Sequence, residues 1–66
     1  MNSKDFLFGA LKYYNIEIIK NEDNHISIFK DYVIEIETNG LFKLKCDGQV
    51  IAPFDDIDEL CRFVLL

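Results

Sequence analysis

Basic residues are scarce in this 66-residue chain, which has six lysines and a single arginine against twelve acidic residues. The formal net charge is −5 at pH 7. Proteins that bind nucleic acid directly use clustered Lys and Arg to displace counterions from the phosphates. The scattered lysines and the lone Arg62 therefore argue against direct nucleic acid binding. An acidic chain could instead contact a basic surface on a partner protein.

Long apolar runs are also missing. No stretch reaches the roughly 20 apolar residues that a membrane-spanning helix needs. The first residues include Asp5 and have too short an apolar segment for a secretory signal peptide. The sequence therefore predicts a cytoplasmic protein with no membrane segment.

Residues that carry catalysis or bind metals are few. His25 is the only histidine, and a catalytic histidine needs an oriented partner. There is no glycine-rich phosphate loop. The acidic group at residues 55–59 lacks the spaced ligands and mid-loop glycine of a calcium loop, and is interpreted as helix N-terminus chemistry. We predict no catalytic residue, no metal site and no cofactor, and we do not expect an enzyme.

Two cysteines, Cys46 and Cys61, are too few to define a disulfide framework. They could form one disulfide or a redox pair. Nothing in the chain indicates secretion, so two small buried apolar residues are the favoured interpretation.

Hydrophobic residues make up half of the chain, which is enough for one self-standing domain over residues 1–66. Turn signals at Lys30-Asp31, Asn39-Gly40 and Asp47-Gly48 separate runs of β-branched and aromatic residues. This layout predicts an antiparallel meander with strands at 16–19, 25–29, 32–37, 41–46 and 49–52, in which Pro53 ends the last strand. Glu22, Asp23 and Asn24 are read as a polar turn between the first two strands.

The alternation of apolar residues also predicts a register. A three-residue loop, with Gly40 in the left-handed conformation, sets Ile36 opposite Phe42 and Glu35 opposite Lys43. A two-residue loop would mix the two faces of the sheet.

Two amphipathic helices flank the predicted strands. The first runs from about Asn2 or Ser3 to Tyr14 with Ser3 as its cap, and the second starts after Phe54 with Asp55 or Asp56 as its cap. The second helix repeats apolar residues at helical spacing, and we expect the C-terminus to be docked. These residues are Ile57, Leu60, Cys61, Val64 and Leu65. The predicted fold is α+β in the order αβββββα, a four- or five-stranded antiparallel meander with both helices on one sheet face.

Several apolar residues are left over after this core is assigned. The apolar arc of helix 1 is wider than one packed face needs, and some strand residues share the parity of Glu35 and Lys43, which places them on the outer face of the sheet. They are either scattered surface residues or a patch used for self-association or partner binding. The interface candidates are Phe8, Tyr13, Phe29, Val33 and Leu41, and the expected assembly is a homodimer.

The predicted function is that of a small acidic, non-enzymatic regulatory protein that binds and inhibits a partner protein. The excess of lysine over arginine, with abundant Ile and Asn, fits an AT-rich coding source. Very small, acidic, motif-free cytoplasmic proteins of this kind are often encoded by phages and mobile elements. Acidic side chains could act as a partial DNA mimic, and the contact candidates are Glu35, Glu37, Asp55, Asp56 and Asp58. One alternative is an oligomer that sequesters a nucleotide-like ligand between Phe8, Tyr13 and Tyr14. Another is an accessory structural domain.

Overall fold

Two helices flank five strands in the computed structural model, which describes residues 3–66, with only the backbone at Ser3. The predicted α+β class and the αβββββα order are confirmed. Neither helix of this described chain has the length and apolar composition needed to cross a bilayer. The elements are α1 (Ser3–Tyr13), β1 (Ile18–Glu22), β2 (His25–Ile28), β3 (Tyr32–Ile36), β4 (Phe42–Cys46), β5 (Gln49–Phe54) and α2 (Ile57–Val64).

The strands form one antiparallel meander in the order β1-β2-β3-β4-β5. The predicted register between β3 and β4 is confirmed, with Ile36 opposite Phe42 and Glu35 opposite Lys43. The backbone N–H of Glu37 donates to the carbonyl of Leu41 at 2.8 Å, which closes a three-residue loop. Gly40 has a φ of 86° in that loop, as the prediction required.

Both helices pack on the same face of the sheet, so that helices and strands share one core. Because strand side chains alternate between faces, every second residue of β2, β3 and β4 points towards the helices. The most deeply buried side chains come from both layers: Leu7, Leu11, Ile26, Ile28, Ile34, Leu44, Leu60, Cys61 and Val64.

The first strand begins two residues later than predicted. Asn15 is left-handed with a φ of 59°, and its N–H donates to the carbonyl of Lys12. The N–H of Ile16 donates to the carbonyl of Leu11 at 2.8 Å. These two bonds form a Schellman motif, in which the residue after the left-handed one packs back on the helix. Ile16 is therefore a buried part of the helix end, and β1 starts at Ile18.

Pro53 was predicted to end the last strand, but it lies inside that strand. It pairs with Lys43, and β5 continues to Phe54. β5 has a neighbour on one side only, and an edge strand tolerates a residue without a backbone N–H. The extra residues extend β5 towards the start of α2.

The start of α2 agrees with the sequence. Asp56 is the N-cap, and its Oδ1 accepts a hydrogen bond from the backbone N–H of Asp58 at 2.9 Å. The proposed Ser3 cap of the first helix lies outside the described side chains.

The end of α2 differs from the prediction. Leu65 and Leu66 are 45% and 91% exposed, so their side chains do not extend the apolar face of the helix. The contact to this end is polar: Nζ of Lys30 donates to the carbonyls of Val64 and Leu66 at 3.4 and 3.3 Å. A lysine in this position satisfies carbonyls that a helix end leaves free.

Candidate functional site

The outer face of the sheet, away from the helices, carries paired charges. Nζ of Lys45 lies 2.6 Å from Oε1 of Glu35, and Nζ of Lys43 lies 2.8 Å from Oε1 of Glu37. The hydrogen bond from Lys45 lowers the pKa of Glu35, and the bond to Glu37 raises the pKa of Lys43. Glu35 and Lys43 lie opposite each other in the register, but each forms its ion pair with a diagonal neighbour on the adjacent strand. Glu35 and Glu37, both predicted as acidic contacts, are neutralised by their own sheet.

The predicted apolar patch on the outer face does not form. Phe29 packs against the core, because Lys30 and Asp31 take left-handed φ values of 64° and 62° and break the strand alternation there. Val33 and Leu41 are half-buried and lie at opposite ends of the β3–β4 pair, with Lys45 opposite Val33. The charged Glu35–Lys43 row separates the two apolar side chains.

An open groove of about 510 Å³ lies where α1 passes the start of α2. Its apolar walls are Phe6, which is 57% exposed, the core residue Phe42, and the half-buried Ile57. The groove forms because the chain enters the helical layer beside α1 after β5, and α2 begins there. The acidic residues that line it are Asp55, Asp56 and Asp58.

These three carboxylates differ in what they already bind. Asp56 caps α2, and Oδ1 of Asp58 accepts a hydrogen bond from the hydroxyl of Tyr14 at 3.2 Å. The loss of surrounding water, together with Asp58, raises the pKa of Tyr14. Within residues 3–66, Asp55 has no hydrogen-bond or ion-pair partner, and none of the four ion pairs involves a carboxylate of this groove. In the described part of the chain, no lysine or arginine forms an ion pair with the carboxylates of the groove.

The aromatic residues proposed to stack on a ligand are not brought together within one chain. Tyr13 is 81% exposed, and its ring meets Tyr14 edge-on with centroids 5.1 Å apart. Phe8 is half-buried against the core, with Nζ of Lys4 5.8 Å from its ring. Five residues separate Phe8 from Tyr13, which is about 140° around a helix. The two rings therefore point to different sides of α1.

His25 and the cysteines have structural surroundings. His25 is exposed, and its Nε2 lies 3.7 Å from Oε2 of Glu35. Cys46 is half-buried and Cys61 is fully buried, and both are free thiols. Among the described residues, no group of three or more His, Cys, Asp or Glu is arranged to hold a metal ion.

Cys61 makes the alkaline stability of the protein testable. Burial, with a smaller effect of Asp58, raises the pKa of its thiol from 9.0 to about 11. The unfolded chain therefore loses this proton at a lower pH than the folded chain, so ionisation favours unfolding. We expect the free energy of unfolding to fall between about pH 9 and pH 11 more steeply in the wild type than in Cys61→Ala. Urea denaturation of the two proteins at a series of pH values, followed by circular dichroism, measures this difference.

Three groove residues, Phe6, Phe42 and Ile57, were not among the sequence candidates, and Phe6 is the most exposed of them. Phe6 flanks the buried stripe of α1, seven residues before the exposed Tyr13, and that spacing was the available signal. Comparison of the chain with models of known protein families, with curated proteins and with solved structures finds no match.

Proposed function

We propose that this protein is a non-enzymatic binding protein that holds a basic segment of a partner protein in the groove between α1 and the start of α2. One observation carries the proposal. The exposed ring of Phe6 lies beside a groove whose acidic side chains, Asp55 among them, have no cationic partner in the described chain.

The chemistry of the groove fits an arginine or lysine side chain. The apolar stem of such a side chain can cover Phe6 and Ile57, while its charged end reaches Asp55 or Asp58. Arginine fits best, because its planar guanidinium binds a carboxylate through two hydrogen bonds and also stacks on aromatic rings. A nucleotide-like anion is disfavoured, since the same carboxylates would repel it.

The distribution of charge argues against a DNA mimic that uses the outer face of the sheet. A mimic needs a row of unpaired carboxylates, whereas Glu35 and Glu37 on the outer face are paired with lysines. The proposed contact is therefore short and local. By occupying a basic functional surface, the protein would inhibit its partner, a role that suits a small phage or mobile-element protein. Its free thiols suit the cytoplasm as the place of action.

The probe for this proposal is a short synthetic peptide of alternating Arg and Leu, with a Gln-for-Arg peptide as the matched control. In a two-dimensional NMR titration of the labelled protein, we expect the largest amide shifts at Phe6 and at residues 55–58. The shifts should shrink as salt is added, because the contact is between exposed charges. Equal shifts with the Gln peptide, or shifts centred on the outer sheet face, would rule out the groove as the binding site.

Self-association is a second part of the proposal. A chain of this size leaves several large apolar side chains in water, among them Phe6, Tyr13 and Ile19 at 57%, 81% and 62% exposure. Small domains commonly cover such residues by forming oligomers. We therefore propose a homodimer.

A further inference from the structure

We propose that Asp55 selects arginine over lysine in the groove between α1 and α2, and that Tyr14 prevents Asp58 from doing the same. The inference rests on the function proposed above, because it concerns the basic side chain that the groove takes up. It adds which carboxylate recognises that side chain and which residue limits the others.

The three carboxylates of the groove differ in how many of their oxygens the chain already uses. Oδ1 of Asp56 accepts a hydrogen bond from the backbone N–H of Asp58 at 2.9 Å. Oδ1 of Asp58 accepts one from the hydroxyl of Tyr14 at 3.2 Å. Asp55 is exposed and makes no hydrogen bond or ion pair within residues 3–66. Of the three, Asp55 alone keeps both oxygens for a ligand.

Two free oxygens on one carboxylate are what distinguishes arginine from lysine. The planar guanidinium presents two parallel N–H groups, which bind both oxygens of a single carboxylate. The lysine ammonium is a point charge, and one oxygen is enough to hold it. Asp55 is therefore the residue that can favour arginine, whereas Asp58 offers one free oxygen and attracts both side chains alike.

Tyr14 is a positioning residue for Asp58. It directly follows α1, and its N–H donates to the carbonyl of Ala10 at 3.0 Å, which keeps it on the end of that helix. Its hydroxyl reaches across to α2, 44 residues further along the chain. Loss of surrounding water, together with Asp58, raises the pKa of Tyr14, so the hydroxyl keeps its proton at neutral pH and acts as a donor.

The apolar walls of the groove give a competing explanation for any preference. Phe6 is 57% exposed, and an aromatic ring attracts both basic side chains but stacks better on a guanidinium. Ile57 contacts only the apolar stem, which arginine and lysine share. The experiment must therefore separate recognition by Asp55 from stacking on Phe6.

The test uses the Arg-Leu peptide and a Lys-for-Arg peptide of the same length and charge. Isothermal titration calorimetry gives the two affinities for each protein. We expect the wild type to bind the arginine peptide about fivefold more tightly, a factor that suits one exposed charged contact. Asp55→Asn should bind the two peptides equally, because an amide offers only one acceptor oxygen.

The matched control is Asp58→Asn, which removes the same charge from the same groove. Both peptides should bind it more weakly by a similar factor, so that the preference for arginine is kept. A preference that persists in Asp55→Asn would assign the selection to Phe6 and overturn the role of Asp55. A preference that disappears in both variants would overturn it as well, since charge alone would then decide.

Tyr14→Phe has an expected effect of the opposite sign. The variant keeps the ring and frees Oδ1 of Asp58, so a second carboxylate can bind a guanidinium through both oxygens. The arginine peptide should bind about twofold to threefold more tightly, while the lysine peptide binds as before. The gain should vanish when Tyr14→Phe is combined with Asp58→Asn.

A merely structural role of Tyr14 predicts the reverse, namely weaker binding of both peptides and a lower melting temperature by circular dichroism. That result, or an unchanged ratio of the two affinities in Tyr14→Phe, would overturn the assignment of Tyr14.

Failure of this inference can be told apart from failure of the proposed function. Amide shifts at Phe6 and at residues 55–58 with both peptides, but equal affinities in the wild type, would overturn the selection of arginine and leave the groove as the binding site. Peptides that shift none of these amides would overturn both.

Discussion

Replacing Leu60 with alanine should lower the free energy of unfolding by about 2–5 kcal/mol, the usual cost of a cavity left by a buried leucine. The side chain is fully buried in the core shared by α2 and the sheet. Because small domains have only about 5 kcal/mol or somewhat more to lose, the variant should be largely unfolded at 37 °C. Urea denaturation followed by circular dichroism measures the effect.

The matched control is Leu65→Ala, which removes the same atoms from a leucine five residues further along the chain. Leu65 is 45% exposed, so its loss should cost well under about half as much, since less apolar surface is returned to water. Similar losses at Leu60 and Leu65 would mean that α2 does not dock through the face described above.

Replacing Gly40 with valine should be the second most damaging change. The residue has a φ of 86° at the turn between β3 and β4, and a β-branched side chain is strained there by about 1–3 kcal/mol. An added Cβ would meet nothing within 4 Å, so the cost comes from the backbone alone. A melting curve gives the loss, and Gly40→Asn is the control, since asparagine tolerates left-handed conformations. Equal stability of the two variants would contradict the turn geometry.

Much of the fold follows from local patterns. Alternating apolar residues in β3 and β4, with Asn39-Gly40 between them, leave one register that keeps Ile34 and Leu44 on the core side. The repeat of apolar residues in α2 likewise predicted the burial of Leu60 and Val64. These features need no knowledge of distant parts of the chain, because their periods match the geometry of strands and helices.

The parts that were missed depend on backbone conformations that composition does not reveal. Asn15, Lys30 and Asp31 all have positive φ values, although only asparagine and aspartate visit that region with any regularity. The turn at Lys30 and Asp31 moves Phe29 from the outer face into the core layer. Pro53 was misplaced because proline is excluded from central strands but not from edge strands.

The candidate site was only partly predictable for a related reason. The acidic residues at the start of α2 were identified as a group, yet their value as a site depends on which carboxylates remain unpaired. Lys43 and Lys45 neutralise Glu37 and Glu35 through diagonal contacts that follow from sheet twist and side-chain reach. Phe6 becomes a groove wall only when α2 lies beside α1.

The most direct test compares two double variants that each remove two negative charges. Asp55→Asn with Asp58→Asn removes two of the three negative charges that line the groove and leaves Asp56 as the cap of α2. An asparagine at 58 can still accept the Tyr14 hydroxyl. Glu35→Gln with Glu37→Gln removes the same charge from the outer face. By isothermal titration calorimetry with the Arg-Leu peptide, we expect the groove variant to lose at least about tenfold in affinity, as hydrogen bonds between charged groups are lost, and the outer-face variant to bind like the wild type. Equal losses would show that the peptide responds only to net charge, and the groove would then not be the binding site.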